Sequence, residues 1–175
     1  TYDESVDYIC DEFRLATQGI YSADEQSVNY YQRPTKGAAM ALIARLRLFQ
    51  ASPLFNGGAA ARKCFGTWKR KSDGAYYVNQ EYNPRRWAVA AAAAKQLTKM
   101  GYELHTVEAD AQNPYPLASN VPTANFPDGA GNIDPYHSYS DMFTGEGIIQ
   151  TNKEFIWAME SSNVTNYTHH SFPVK

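Results

Sequence analysis

Apolar side chains recur along this chain at helical spacing in three places. Val6, Ile9, Cys10 and Phe13 follow Thr1 and Glu4, and a Thr with a Glu three residues later is a capping box in which each side chain satisfies the other's backbone N–H. The spacing predicts a helix over residues 2–18, closed by Gly19 in the left-handed conformation. Beyond Pro34-Thr35, the residues Ala38, Ala39, Leu42, Ile43, Leu46 and Phe49 form a wide stripe that runs to Ser52-Pro53, which predicts a helix over 35–52. A third start places Asn83 as cap and Pro84 at the first helical position, with Gly101 at the far end, for a helix over 84–100. Inside it, Trp87-Ala-Val-Ala-Ala-Ala-Ala-Ala-Lys95 offers small side chains that let a neighbouring helix come close. The Ala-rich face of residues 38–44 is the expected partner, with the two helices antiparallel, Leu42 and Ala91 in their seam, and residues 53–83 as the long connection.

The pattern then changes. Residues 105–137 carry Pro114, Pro116, Pro122, Pro127 and Pro135 with Gly129 and Gly131, a density of breakers that predicts a long loop. Ser140 to Phe143 allows one helical turn, Glu154-Phe-Ile-Trp-Ala-Met-Glu160 alternates like a short strand, and residues 161–173 return to polar and aromatic loop. The expected fold is mainly α: tetratricopeptide-like helix pairs with long irregular loops and at most a short strand or hairpin. Residues 1–175 make a single domain or a piece of a larger one, with a helical scaffold over 1–104 and a loop-rich region over 105–175.

Composition sharpens this picture. Leu, Ile, Val and Phe supply only 31 residues, about 18%, a level at which disorder becomes a concern when net charge is also high. Net charge here is −2, and 23 Ala and 24 aromatic residues fill the missing core volume, so a packed chain with hydroxyl-bearing rings is expected. The 16 Lys and Arg against 18 Asp and Glu exclude a general pull toward nucleic acid or anionic lipid. Charge is nevertheless segregated. Residues 1–25 hold seven acids and one base, residues 26–72 hold nine bases and no acid, and from Glu103 onward nine acids face only Lys153 and Lys175. The first stretch is expected to lie against the second, and an anionic partner would have to approach the middle of the chain.

Most catalytic chemistries find no support. Cys10 and Cys64 are too few for a disulfide framework or a zinc cluster and are expected as buried free thiols. His105, His137, His169 and His170 lack the spacing and companion Glu of a helical zinc site. Asp128-Gly-Ala-Gly-Asn-Ile-Asp134 places Ala130 where a calcium loop needs an oxygen ligand, so it is a turn cluster. Loop carboxylates at 73, 110, 128, 134 and 141 could serve glycoside hydrolysis only if paired in space, and they are expected as solvated loop groups. Arg62, Lys63, Lys69, Arg70 and Lys71 with Phe65 and Trp68 could track a phosphate backbone, but answer the acidic first helix more simply. What remains is aromatic and amide side chains in loops. A ring stacks on the apolar face of a sugar while amides and hydroxyls exchange directional hydrogen bonds with it. Trp87, Phe49, Trp157, Tyr76 and Tyr77 are assigned to the core. Tyr115, Phe126, Tyr136, Asn166 and Tyr167, which have no periodic partner, are the expected exposed ligand platform.

Residues 28–57, with Arg33-Pro-Thr-Lys-Gly37 and Ser52-Pro-Leu-Phe-Asn56 at the two ends of the second helix, resemble the central segment of the SusD/RagB family of outer-membrane nutrient-binding lipoproteins. Tyr2 to Glu12, Tyr82-Asn-Pro-Arg-Arg-Trp87, Gly101-Tyr-Glu-Leu104, Tyr139-Ser-Asp-Met-Phe143 and Glu154-Phe-Ile-Trp157 continue the resemblance in order along the chain. It implies an internal fragment of a larger protein. That parent would be held at the outer-membrane surface by a lipid anchor lying outside this segment, would bind oligosaccharide or other polymer breakdown products without catalysis, and would deliver them to a SusC-like TonB-dependent transporter. No cofactor, metal or nucleic acid is implied. A glycan-processing enzyme and a helical-repeat adaptor for proteins are the alternatives.

Overall fold

The computed structural model describes residues 1–144 and 152–158. Helices α1 (Tyr2–Ala16), α2 (Lys36–Ala51), α3 (Gly58–Phe65), α4 (Arg85–Leu97) and α5 (Pro135–Thr144) carry the fold, and strands β1 (Val107–Glu108) and β2 (Ile133–Asp134) form one short antiparallel pair. The architecture is mainly α, as the periodicity dictates. Among the described residues no helix is long and apolar enough to cross a membrane.

The capping box holds: Thr1 Oγ1 accepts from the Glu4 N–H and the Glu4 carboxylate takes the chain's first amine at 2.6 Å. The far end of α1 differs from expectation. The helix stops at Ala16, Thr17 keeps right-handed angles, and Gly19 adopts no positive φ, because two further right-handed turn bonds carry the chain out instead. Gly101 does take the left-handed conformation, at φ 77°, three residues beyond the Thr98 cap of α4. At the start of α4, Asn83 Oδ1 accepts the Arg85 N–H at 3.0 Å, so the cap acts one residue beyond its expected register and Arg85 opens the helix. Helix α3 lies inside what the pattern assigns to a plain connection. Its N-terminal approach uses Gly57 and Gly58, both at positive φ, a conformation only Gly adopts without steric cost.

Helix α2 lies between α1 and α4 and is buried on more than one side, with Gly37, Ala38, Ala39, Ile43, Arg47, Gln50 and Ala51 all inaccessible. Both neighbours run antiparallel to it. Gln50, near the end of α2, bonds Asp3 at the start of α1, while Gly37, near the start of α2, touches Tyr102 just beyond α4. Val6 and Cys10 of α1, Ile43 of α2 and Ala93 of α4 form the common core. Burying Ile43 alone contributes about 1.5–3 kcal/mol. Burial also pushes the Cys10 thiol above its ordinary pKa, whereas Cys64, expected to be buried, is exposed on α3.

The α2–α4 seam has the expected partners with a different phase. Ala90 and Ala93 are buried, but Ala91 faces outward and Leu42 is half-buried. Arg86, Ala90, Ala93 and Leu97 share one stripe at helical spacing, and Ala91 falls 100° away from Ala90 around the helix. The phase is set at the N-terminus of α4 by the Arg86 side chain, which is anchored among polar groups. Its Nη2 donates to Asp3 Oδ2 at 2.6 Å and its Nη1 to the Phe55 carbonyl at 3.1 Å. The network continues from Gln50 Nε2 to Asp3 Oδ1 at 2.9 Å, from Arg47 Nη1 to Gln50 Oε1 at 2.8 Å, and from Arg47 Nη1 to Asp7 Oδ1 at 2.5 Å. The acidic first stretch thus does lie against the basic second one. Asn56, fully buried, donates to the Ala51 and Asn83 carbonyls and accepts the Asn83 N–H, which clamps the end of α2 to the start of α4.

Several rings expected in the core are on the surface instead. Phe49, Trp87 and Trp157 are about half exposed, and Tyr76 lies outside the core with Lys69 Nζ 4.4 Å from its ring centre. Tyr77 is half-buried. It ends a ladder of rings, Tyr2–Phe55–Phe65–Trp68–Tyr77, whose successive centroids are 4.6, 5.9, 5.9 and 5.1 Å apart. This half-buried ladder links the start of α1 to α3 and the segment after it. Residues 154–158 form no strand: they belong to an irregular segment whose Trp157 Nε1 donates to the Gln32 carbonyl at 2.8 Å, and residues 159 and 160 of the expected strand lie outside the described residues.

Candidate functional site

Asp134-Pro135 repeats the sequence signal of Asn83-Pro84, and here the Pro does open the helix, at the position where its missing N–H costs nothing, whereas α4 opens one residue later at Arg85. Asp134 Oδ1 accepts the His137 N–H at 2.9 Å and Oδ2 lies 2.7 Å from His137 Nδ1. These bonds, the side-chain contact with His137 first, hold the Asp134 carboxyl below its ordinary pKa. Ser138 Oγ donates to the Asp134 carbonyl and accepts the Val107 N–H at 2.9 Å, which fixes the first turn of α5 to β1. The one-turn helix expected at 140–143 is therefore the second half of a helix that begins at Pro135.

This helix is inverted with respect to the usual distribution of side chains. Ser138, Asp141 and Met142 point into the molecule. Asp141, with 14% of its side chain exposed, places Oδ2 3.5 Å from His105 Nε2, and Met142 Sδ accepts from Asn152 Nδ2 at 3.2 Å. Tyr136, Tyr139 and Phe143, at positions i, i+3 and i+7 of the same helix, point out and are 54%, 71% and 62% exposed. Single exposed apolar residues are ordinary, but three aromatic rings on one helix face, with polar groups behind them, make a candidate contact surface.

The loop after β1 adds to this face. Tyr115 stacks on Tyr136 with centroids 5.2 Å apart and planes within 7°, while Tyr139 and Phe143 form a second, tilted pair at 5.1 Å. Tyr136 also meets the His137 ring edge-on. Of the five expected platform residues, Tyr115 and Tyr136 thus come together and are exposed. Tyr136 does so from a helix and not from the loop to which the prolines assign it. Phe126 is exposed, its N–H bonded to Asn132 Oδ1 at 2.7 Å, and pairs with neither tyrosine ring. Asn166 and Tyr167 lie outside the described residues. Tyr139 and Phe143 are the residues that sequence reasoning passed over. The Asp134-Pro135 start signal, extended by ten residues at helical spacing, would have placed them on one face with Tyr136.

A cavity of about 640 Å³ lies among the 22–35 segment, the exit of α4 and residues 152–158, and its lining residue Asn152 bonds Met142 on the inward side of α5. Its size suits a small ligand. Part of its polar lining is engaged within the protein: Gln26 Nε2 donates to the Tyr30 and Arg33 carbonyls, Asn152 bonds Met142 and Glu154, and Lys153 pairs with Glu103, while the buried Tyr102 hydroxyl has no hydrogen-bond partner. It offers walls of Tyr31, Tyr102, Phe155 and Trp157 more than directional groups. The ring face of α5 is the stronger candidate, and its chemistry is stacking supplemented by hydroxyl hydrogen bonds.

No family model matches the chain, and no curated protein matches it. Among solved structures the Bacteroides protein BT4246 has the same fold over 91% of this chain, with a TM-score of 0.60 and 23% sequence identity. This chain spans 27% of the length of BT4246. At that identity the likeness is one of fold.

Proposed function

We propose that this chain is part of a SusD/RagB-type protein that binds oligosaccharide at the bacterial outer-membrane surface, without catalysis, for delivery to a TonB-dependent transporter. The observation that carries the reading is the inverted helix α5, whose Tyr136, Tyr139 and Phe143 rings face solvent beside Tyr115. Rings of this kind supply apolar area for the faces of sugars, and tyrosine hydroxyls exchange hydrogen bonds with sugar hydroxyls. Affinity per contact is modest, because each sugar hydroxyl gives up water for about 0.5–1.5 kcal/mol of net gain. Support for the larger setting is the resemblance of residues 28–57 to that family, together with a helical fold shared with a Bacteroides protein more than three times as long.

The test is a glycan array probed with the chain in its parent protein, followed by affinity measurements on Tyr115→Ala, Tyr136→Ala and Tyr139→Ala with melting temperatures taken in parallel. Loss of binding at unchanged stability is expected. Retained binding in all three variants removes the ring face from the site. Release of new reducing ends from a bound polysaccharide would make the protein an enzyme instead.

A further inference from the structure

We infer that the ring face of α5 takes uncharged oligosaccharides long enough to cover both of its ring pairs, and discriminates against uronate- or sulfate-bearing ones. This rests on the oligosaccharide-binding reading above and adds two independent observations, one of spacing and one of charge.

The rings come as two stations. Tyr115 with Tyr136 is one, and Tyr139 with Phe143 is the other. Tyr136 and Phe143 are seven residues apart on one face, so at a rise of about 1.5 Å per residue the face extends roughly 10.5 Å along the helix axis. A single sugar ring covers one station and leaves the other in water. A chain of sugars engages both, and the second contact then forms within an existing complex, which multiplies affinity without any new kind of interaction.

The segment that builds both stations carries acidic residues and no Lys or Arg. Between Lys99 and Lys153 the sequence has no Lys or Arg, while Glu103, Glu108, Asp110, Asp128, Asp134 and Asp141 all fall there. Lys153, the next base along the chain, is held by Glu103 at 3.1 Å. A carboxylated or sulfated glycan on α5 would therefore meet like charge with no described cation of this region to offset it. Nor is the face built for a basic peptide. The two carboxylates of the α5 segment lie inward, Asp134 bonded to His137 with 13% of its side chain exposed and Asp141 beside His105 with 14% exposed, so they are poorly placed to dock a guanidinium or ammonium group on the ring face.

Calorimetric titration of the full chain in its parent protein separates these possibilities. The probes are neutral gluco-oligosaccharides from monomer to hexamer, an oligogalacturonate, a sulfated oligosaccharide and an Arg-rich peptide. Affinity is expected to rise from monomer to tetramer and then level off. Phe143→Ala should lower hexamer affinity about three- to tenfold, the fold-change of one aromatic contact, and leave dimer affinity unchanged, with Phe143→Tyr restoring most of the loss. The anionic oligomers should bind at least tenfold more weakly at low salt, with the gap narrowing as salt rises. Length-independent affinity, an equal loss for dimer and hexamer, anionic binding as tight as neutral, or tighter binding of the peptide would each overturn the inference while leaving a binding protein. Absence of binding to every oligosaccharide would instead overturn the underlying oligosaccharide reading.

Discussion

The salt bridge between Arg86 and Asp3 ties the first turn of α4 to the first turn of α1, and replacing Arg86 by Met tests whether it sets the packing of the three helices. The substitution removes the 2.6 Å bond to Asp3 Oδ2 and the 3.1 Å bond to the Phe55 carbonyl, and leaves Asp3 with the Gln50 amide as its remaining partner. Breaking a fully buried ion pair from one side costs about 3–5 kcal/mol. Asp3 keeps 27% of its side chain exposed and Arg86 13%, so water partly rescues the stranded carboxylate, and we expect a loss of roughly 2–3 kcal/mol. In urea, with a slope of about 2 kcal/mol per molar, the unfolding midpoint should fall by about 1 M. Asp3→Asn should cost less, about 1–2 kcal/mol, because an amide oxygen can still accept. The double variant should be more stable than the sum of the single losses predicts, with a coupling of about 1–2 kcal/mol. Arg14→Met is the control: its partner Asp11 is 71% exposed, and less than about 0.5 kcal/mol should be lost. Additive losses, or an Arg86→Met variant no less stable than Arg14→Met, would refute the argument that this network fixes the helix phase.

Other expectations follow from the same structure. A Cβ on Gly37 would lie 1.7 Å from the Tyr102 hydroxyl oxygen, so Gly37→Ala should be destabilised by about 1–2 kcal/mol net of its gain in helix propensity, and Tyr102→Leu should relieve most of that loss in thermal unfolding. Asn56→Leu removes the bond to the Ala51 carbonyl and the acceptor of the Asn83 N–H, leaves the Asn83 carbonyl with only the Arg86 N–H, and should cost about 2–3 kcal/mol, read by chemical unfolding. Glu25 accepts from the Ser22 hydroxyl at 2.6 Å and the Ser22 N–H at 2.9 Å with Lys36 nearby, which lowers its pKa from 4.5 to about 2. A carboxyl depressed by folding stabilises the fold above its unfolded pKa and stops doing so as pH falls. The 22–36 segment should therefore loosen between about pH 4.5 and pH 2, and NMR titration of the Glu25 carboxyl should show its pKa rise in Ser22→Ala.

Local signals in the sequence were enough for the scaffold. The Thr1–Glu4 capping box, the Thr35 and Asn83 caps and the positive-φ Gly101 each act through backbone groups within a few residues, so their meaning does not depend on the rest of the fold. Periodicity likewise identified α1, α2 and α4 and the pairing of α2 with α4. It could not settle which alanines meet, since in a helix with alanines at six of eight consecutive positions every phase is apolar. The Arg86–Asp3 bond decided it, between residues 83 positions apart. The surface position of Phe49 and Trp87 was equally illegible, because an aromatic ring at helical spacing has the same pattern whether or not another element covers it, and the alternation around Trp157 says as little about what covers that ring. The candidate site was half legible: Tyr115 and Tyr136 were picked out as rings without an evident structural role. That they stack, and that Tyr139 and Phe143 extend them along one helix, required β1 and β2 to pair and bring residues 107 and 134 together. Such contacts between distant segments depend on loop closure and burial across the whole chain, and no local pattern encodes them.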